Sequence, residues 1–117
     1  MHGLQSSCLT KGYRAKEVLD LVHTDLCEPI STSARGGYEY FITFIDDYSR
    51  YGYKYLMRHK SETFEIFKEY KAKVENLHGK SIKCLQSDRG GEYLFSEFRQ
   101  YLEDHGITSQ MSAPSQP

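Results

Sequence analysis

Four apolar residues crowd into positions 18–22 (Val18, Leu19, Leu21 and Val22), too close together for one face of an extended chain. That pattern predicts a strand over residues 18–27 that is buried on both sides. Glu28-Pro29 ends it, because proline lacks an N–H and restricts the residue before it. Ala34-Arg35-Gly36-Gly37 is a turn signal, and the aromatic and β-branched residues of 38–45 predict a second strand. Asp46-Asp47-Tyr48-Ser49-Arg50 reads as a polar turn into a third strand over 51–57. Connections this short favour antiparallel neighbours.

The period then changes. Ser61 is a good N-cap with Glu62 behind it, and Phe64, Phe67, Tyr70, Val74 and Leu77 form one helical stripe that Gly79 ends. Glu69 and Lys73 are spaced for an ion pair on the wet side. A fourth strand is predicted over 81–87, followed by the break Asp88-Arg89-Gly90-Gly91. A short helix over about 96–105 rests on Phe98, Tyr101 and Leu102 and stops at Gly106, and a last strand follows over 107–111. These elements predict an α/β fold with a five-stranded mixed sheet. The helical crossover requires the fourth strand to run parallel to one of the first three.

With 117 residues, 38% apolar and 26% charged, the chain has the size and composition of one globular domain. Residues 1–17, rich in Ser, Gly, Lys and Gln, read as an arm before a core of 18–117. Fifteen basic residues against sixteen acidic ones leave a net charge of −1, so any contact with DNA has to be local. Cys8, Cys27 and Cys84 are odd in number and contain no C-x-x-C pair. This argues against a disulfide framework or a zinc module and for reduced thiols in an intracellular compartment. No apolar run approaches membrane-spanning length, and the first dozen residues lack the apolar stretch of a secretory signal.

Asp25 sits late in a strand predicted to be buried, where a carboxylate is costly unless it is paired or holds a metal. Asp88 ends another strand beside two glycines, and if the strands are neighbours the two acids converge at one sheet edge. Mg2+ takes one or two carboxylates together with water and phosphate, so such a corner is a candidate seat for it. The plainer alternative is that both acids cap turns. Other candidates are better read as structural. His23 is expected to make a structural hydrogen bond rather than shuttle protons, and Cys84 has no base to make it a nucleophile. Asp46-Asp47 suits a turn more than a metal. Tyr38, Tyr40, Tyr48, Tyr51, Tyr53 and Tyr55 suit a core more than base stacking. Lys54, Arg58 and Lys60 suit a solvated sheet edge.

Four segments occur in order: His23-Thr24-Asp25-Leu26, the run from Tyr40 to Tyr51 (YFITFIDDYSRY), Leu85-Gln86-Ser87-Asp88-Arg89-Gly90-Gly91-Glu92-Tyr93, and Ser112-Ala113-Pro114. Together they resemble the integrase catalytic core of copia-type LTR retrotransposons, most like the plant elements, from about Gly12 onward. The resemblance implies an RNase H-like fold and a D,D,E site that binds Mg2+ or Mn2+. It also implies 3′-end trimming of element DNA and joining of that end to target DNA. Asp25 then corresponds to the first acid and Asp88 to the second, as catalytic and metal-binding residues.

The third acid of the family is a Glu beyond the Ser-Ala-Pro segment, and none of the 117 residues occupies that position. Glu92 corresponds to a different family position, Glu28 stands where the family has Gly, and Gln5 and Cys8 leave only a remnant of an upstream zinc module. The expectation is therefore a catalytically incomplete integrase-core fragment without the family's later helices. DNA is its implied partner, and the sheet face left open favours self-association or an integrase partner. The alternatives are a non-catalytic interaction or nucleic-acid-binding module, and a nuclease that recruits Glu65 as an extra acid.

Overall fold

The computed structural model describes residues 14–27, 40–87 and 96–111. The breaks expected at 28–29, 34–37 and 88–91, and most of the arm, lie outside the described residues.

The elements follow in the order β1 (Val22–Cys27), β2 (Tyr40–Asp46), β3 (Gly52–Met57), α1 (Thr63–His78), β4 (Cys84–Ser87), α2 (Ser96–Asp104) and β5 (Thr108–Met111). They build one five-stranded sheet in the order β3-β2-β1-β4-β5. β1, β2 and β3 form an antiparallel meander. After the α1 crossover the chain returns on the far side of β1, and β4 pairs parallel to it, with β5 parallel to β4. The mixed α/β sheet is the one expected, and β1 is its central strand.

Both described helices supply the same core. Val22, Leu26, Ile42, Phe44, Met57 and Leu85 from the sheet pack with Phe67, Tyr70 and Val74 of α1 and with Phe98 and Leu102 of α2. Phe44 stacks on Tyr70 with ring centroids 4.4 Å apart, and Phe67 lies 5.1 Å from Phe98. Tyr40, Tyr53 and Tyr55 pack against this cluster, so these tyrosines fill a core. Tyr48 and Tyr51 are exposed instead.

Several boundaries differ from the sequence expectation. β1 begins at Val22, not at 18, because Leu19 adopts a left-handed backbone (φ 71°) that no strand accommodates. Residues 17–20 turn instead, held by Asp20, whose Oδ2 accepts the N–H groups of Lys16 (3.1 Å) and Glu17 (3.3 Å). Leu19 and Leu21 are still buried, so the apolar run was a true core signal carried by a turn. β1 itself alternates buried and half-buried residues rather than being covered on both faces.

Ser61 is not the cap of α1. It lies inside a 3-10 turn, Lys60–Glu62, in which the Glu62 carboxylate accepts the His59 N–H at 3.1 Å. The ion pairs on α1 join Lys68 to Glu65 and Lys71 to Glu75, while Lys73 lies over the Tyr53 ring instead of reaching Glu69. Leu77 ends the expected stripe but is exposed. Gly79 does end the helix, with φ 66° and its N–H donated to the Glu75 carbonyl. β4 is shorter than expected because Ile82 donates its N–H to the Glu75 side chain and Lys83 donates to the Leu19 carbonyl, both outside the ladder.

Candidate functional site

Side chains alternate across a strand, so the register sorts β1 into two faces. Val22, Thr24 and Leu26 face the helices and are buried. His23, Asp25 and Cys27 lie on the opposite face, which neither described helix covers, across from Ile45, Thr43 and Phe41 of β2. Asp25 is half-buried there, and its Oδ2 accepts a hydrogen bond from the Cys27 thiol at 3.6 Å. On the other flank β1 runs parallel to β4 through Val22↔Leu85, His23↔Gln86 and Thr24↔Ser87. Asp25 therefore stands at the carboxyl ends of two parallel strands, where open α/β sheets present their ligand crevices.

Asp88, the second expected acid, lies outside the described residues, as do Glu92, Glu28, Gln5, Cys8 and the Ser-Ala-Pro segment. Among the described residues, no group of three or more His, Cys, Asp or Glu could hold a metal ion. What Asp25 offers is one half-buried carboxylate, with Oδ1 buried and Oδ2 on the Cys27 thiol. That matches Mg2+, which binds few protein oxygens and keeps several waters.

Glu65 does not approach this corner. It is an exposed residue of α1 paired with Lys68, and α1 packs on the helix-covered face, opposite Asp25. The nuclease alternative loses its acid.

The remaining candidates resolve into structural roles. His23 donates from Nε2 to Asp47 Oδ1 at 2.9 Å, the structural hydrogen bond expected for it. Cys84 is fully buried with Leu21 and Ala15, where a thiol packs rather than attacks. Lys54 lies over the Phe41 ring at 4.4 Å and Lys60 over Tyr40 at 5.8 Å, so this basic cluster covers aromatic surface.

The acidic turn does more than reverse the chain. Asp46 Oδ1 accepts the buried Leu19 N–H and Oδ2 the Ser49 N–H, each at 2.7 Å. Asp47 Oδ2 accepts the Ala15 N–H at 2.8 Å, and Arg50 lies 3.7 Å from its Oδ1. Burial opposes the charged form of Asp47, but the Ala15 N–H, His23 and Arg50 outweigh it and hold the carboxyl below its ordinary value of 3.8.

A group whose folded pKa is depressed stabilises the fold above its unfolded value, and that stability is lost as pH falls through the folded value. Asp47→Asn should therefore lower urea-melt stability at neutral pH, and the gap from the parent should close below pH 3.8. A gap of constant size down to pH 2, a range set by ordinary carboxyl titration, would refute this role.

Residues 15–117 match the family model described as Integrase core domain. The chain is 41% identical over 108 residues to the retrovirus-related Pol polyprotein from transposon TNT 1-94 of Nicotiana tabacum, covering 92% of this chain and 8% of that protein. It is 38% identical over 80 residues to the corresponding polyprotein of transposon RE2 from Arabidopsis thaliana, covering 68% of this chain and 5% of the relative. The chain thus spans only a small part of the polyproteins it matches.

Among solved structures, the HTLV-2 integrase catalytic core domain in complex with magnesium (trimeric form) superposes with a TM-score of 0.63 at 15% identity. That match covers 85% of this chain and 63% of the other, and it shows a shared fold. No helix among the described residues is long and apolar enough to cross a membrane. The plant copia-type likeness carried by the four sequence segments thus agrees with relatives, fold and family model alike, and the chain belongs to the Integrase core domain family.

Proposed function

We propose that this chain carries the first two acids, Asp25 and Asp88, of the metal-dependent phosphoryl-transfer site of a retrotransposon integrase core. We propose further that the 117 residues alone do not join DNA. The observation that supports the pairing is the parallel ladder between β1 and β4, whose last described pair is Thr24↔Ser87. Each acid follows one member of that pair by a single peptide. Asp25 is two residues beyond His23, just as Asp88 is two beyond Gln86, the residue paired with His23.

Asp25 and Asp88 would hold a divalent cation, Mg2+ or Mn2+. When bound, such an ion supplies Lewis-acid stabilisation of charge on phosphate oxygens. Within the chain, β2 and β4 fix the backbone on either side of Asp25, and Cys27 contacts its carboxylate. DNA, as element end and target, is the proposed substrate, and an intracellular site of action follows from it.

Electron paramagnetic resonance of free Mn2+ measures the binding step. The parent chain should bind Mn2+, and Asp25→Asn or Asp88→Asn should weaken binding by about tenfold or more, since each removes a charged oxygen ligand. Unchanged affinity in Asp25→Asn would sink the metal reading. Because no residue fills the third-acid position, the chain should give no strand-transfer product on oligonucleotide substrates. Product that disappears in Asp25→Asn would overturn the incomplete-site reading.

A second reading rests on the open sheet face. Leu56 is 55% exposed there, beside half-buried Phe41, and Ile45, four residues further along β2, is 37% exposed. Large exposed apolar side chains on one face favour association, here with a second copy of the chain. Light scattering should show mass rising with concentration, and Leu56→Glu should return the chain to monomer. A parent chain that stays monomeric at high concentration excludes it.

A further inference from the structure

We infer that Cys27 is a positioning residue for Asp25: its thiol donates the hydrogen bond that holds the carboxylate in one orientation on the open face of the sheet. The inference rests on the reading of Asp25 as a metal ligand and goes beyond it by assigning what orients that ligand.

The two residues are two apart on one strand, so their side chains emerge on the same face. Their backbones are fixed by the β2 ladder, Asp25 opposite Thr43 and Cys27 opposite Phe41. The thiol reaches Asp25 Oδ2 at 3.6 Å, a normal length for a sulfur donor. A thiol is a weak donor, but a carboxylate acceptor strengthens the bond.

The contrast with Cys84 is informative. Cys84 is fully buried in an apolar cluster, the usual place of a packing cysteine. Cys27 belongs to neither hydrophobic cluster and is only half-buried, so its burial is a small part of the core. One side-chain contact of Cys27 is the carboxylate two residues away. Partners of this kind orient metal-binding groups, and their loss is felt as loss of metal affinity.

Two readouts test this on the 117-residue chain. Three-bond couplings in the isotope-labelled protein report the χ1 rotamer of Asp25 without any metal. The parent chain and Cys27→Ser, which keeps an O–H donor, should show one rotamer, and Cys27→Ala should show averaging. Mn2+ affinity should fall by about tenfold in Cys27→Ala, the lower end of the range for such partners because the donor is weak. Cys27→Ser should stay close to the parent.

Unaltered couplings in Cys27→Ala would overturn the inference, as would equal disorder in the Ser and Ala variants, which marks a packing role. Rotamer averaging with parent-like Mn2+ affinity would also overturn it, since the orientation would then have no consequence. If the couplings respond as expected but no variant, the parent included, binds Mn2+, the orienting contact stands and the metal reading of Asp25 fails instead.

Discussion

Phe44→Ala should cost about 4 kcal/mol and lower the melting temperature by roughly 15 °C, the effect of truncating a fully buried phenylalanine in a domain of this size. Phe44 has no exposed surface. It stacks on Tyr70 at 4.4 Å, meets the Tyr55 edge at 6.0 Å and lies 6.0 Å from Phe67. One ring thereby joins the central meander to α1, and each aromatic pair adds about 0.5–1.5 kcal/mol beyond burial. Domains of this kind are stable by only about 5–15 kcal/mol, so the variant should sit near the limit of folding. Phe44→Leu keeps most of the volume and should lose less than half as much. Thermal melts followed by circular dichroism decide the matter. A shift of only a few degrees in Phe44→Ala would show that the core does not depend on this ring.

Asp46→Ala is the second large effect, and its source is polar. Both carboxylate oxygens are used, one by the Leu19 N–H and the other by the Ser49 N–H. The Leu19 bond is buried and holds a non-glycine residue at φ 71°, a conformation that costs about 1–2 kcal/mol where nothing supports it. Removing the carboxylate leaves a buried donor unpaired, at about 1–3 kcal/mol, and removes the turn cap as well.

The expected loss is about 3 kcal/mol in urea unfolding. Asp46→Asn should recover little of it, because its amide group presents donors to one of the two N–H groups. An Asn variant as stable as the parent would show that only one of the two bonds matters.

Much of this architecture was legible before any coordinates. The strands around the 46–50 turn, the helix ended by Gly79 and the parallel return of β4 follow from periodicity, turn chemistry and the crossover rule. The late start of β1, at Val22, was not legible. Val18 and Leu19 read as strand because their burial looks the same whether a strand or a turn provides it, and a left-handed leucine has no local signal. The partners that make the turn stable are 27 residues away for Asp46–Leu19 and 32 for Asp47–Ala15, beyond any local pattern.

At the candidate site, the resemblance supplied Asp25, and strand parity could have supplied its neighbour Cys27, since a spacing of two on a strand means one face. It also hid a fact that only packing reveals. Both described helices take one side of the sheet, which separates Glu65 from Asp25.

The position of β1 between an early partner and a late one bears on how the molecule assembles. β2 begins 13 residues after β1 ends, whereas β4 begins 57 residues after it, with α1 in between. Closing that longer loop carries the larger entropic penalty, so the meander is expected to collapse first and the β1–β4 seam to zip last. The acidic corner would then be among the final parts of the molecule to mature. On the proposed reading of Asp25, a nascent or partly folded chain would lack the β4 flank of that carboxylate, however complete its first three strands.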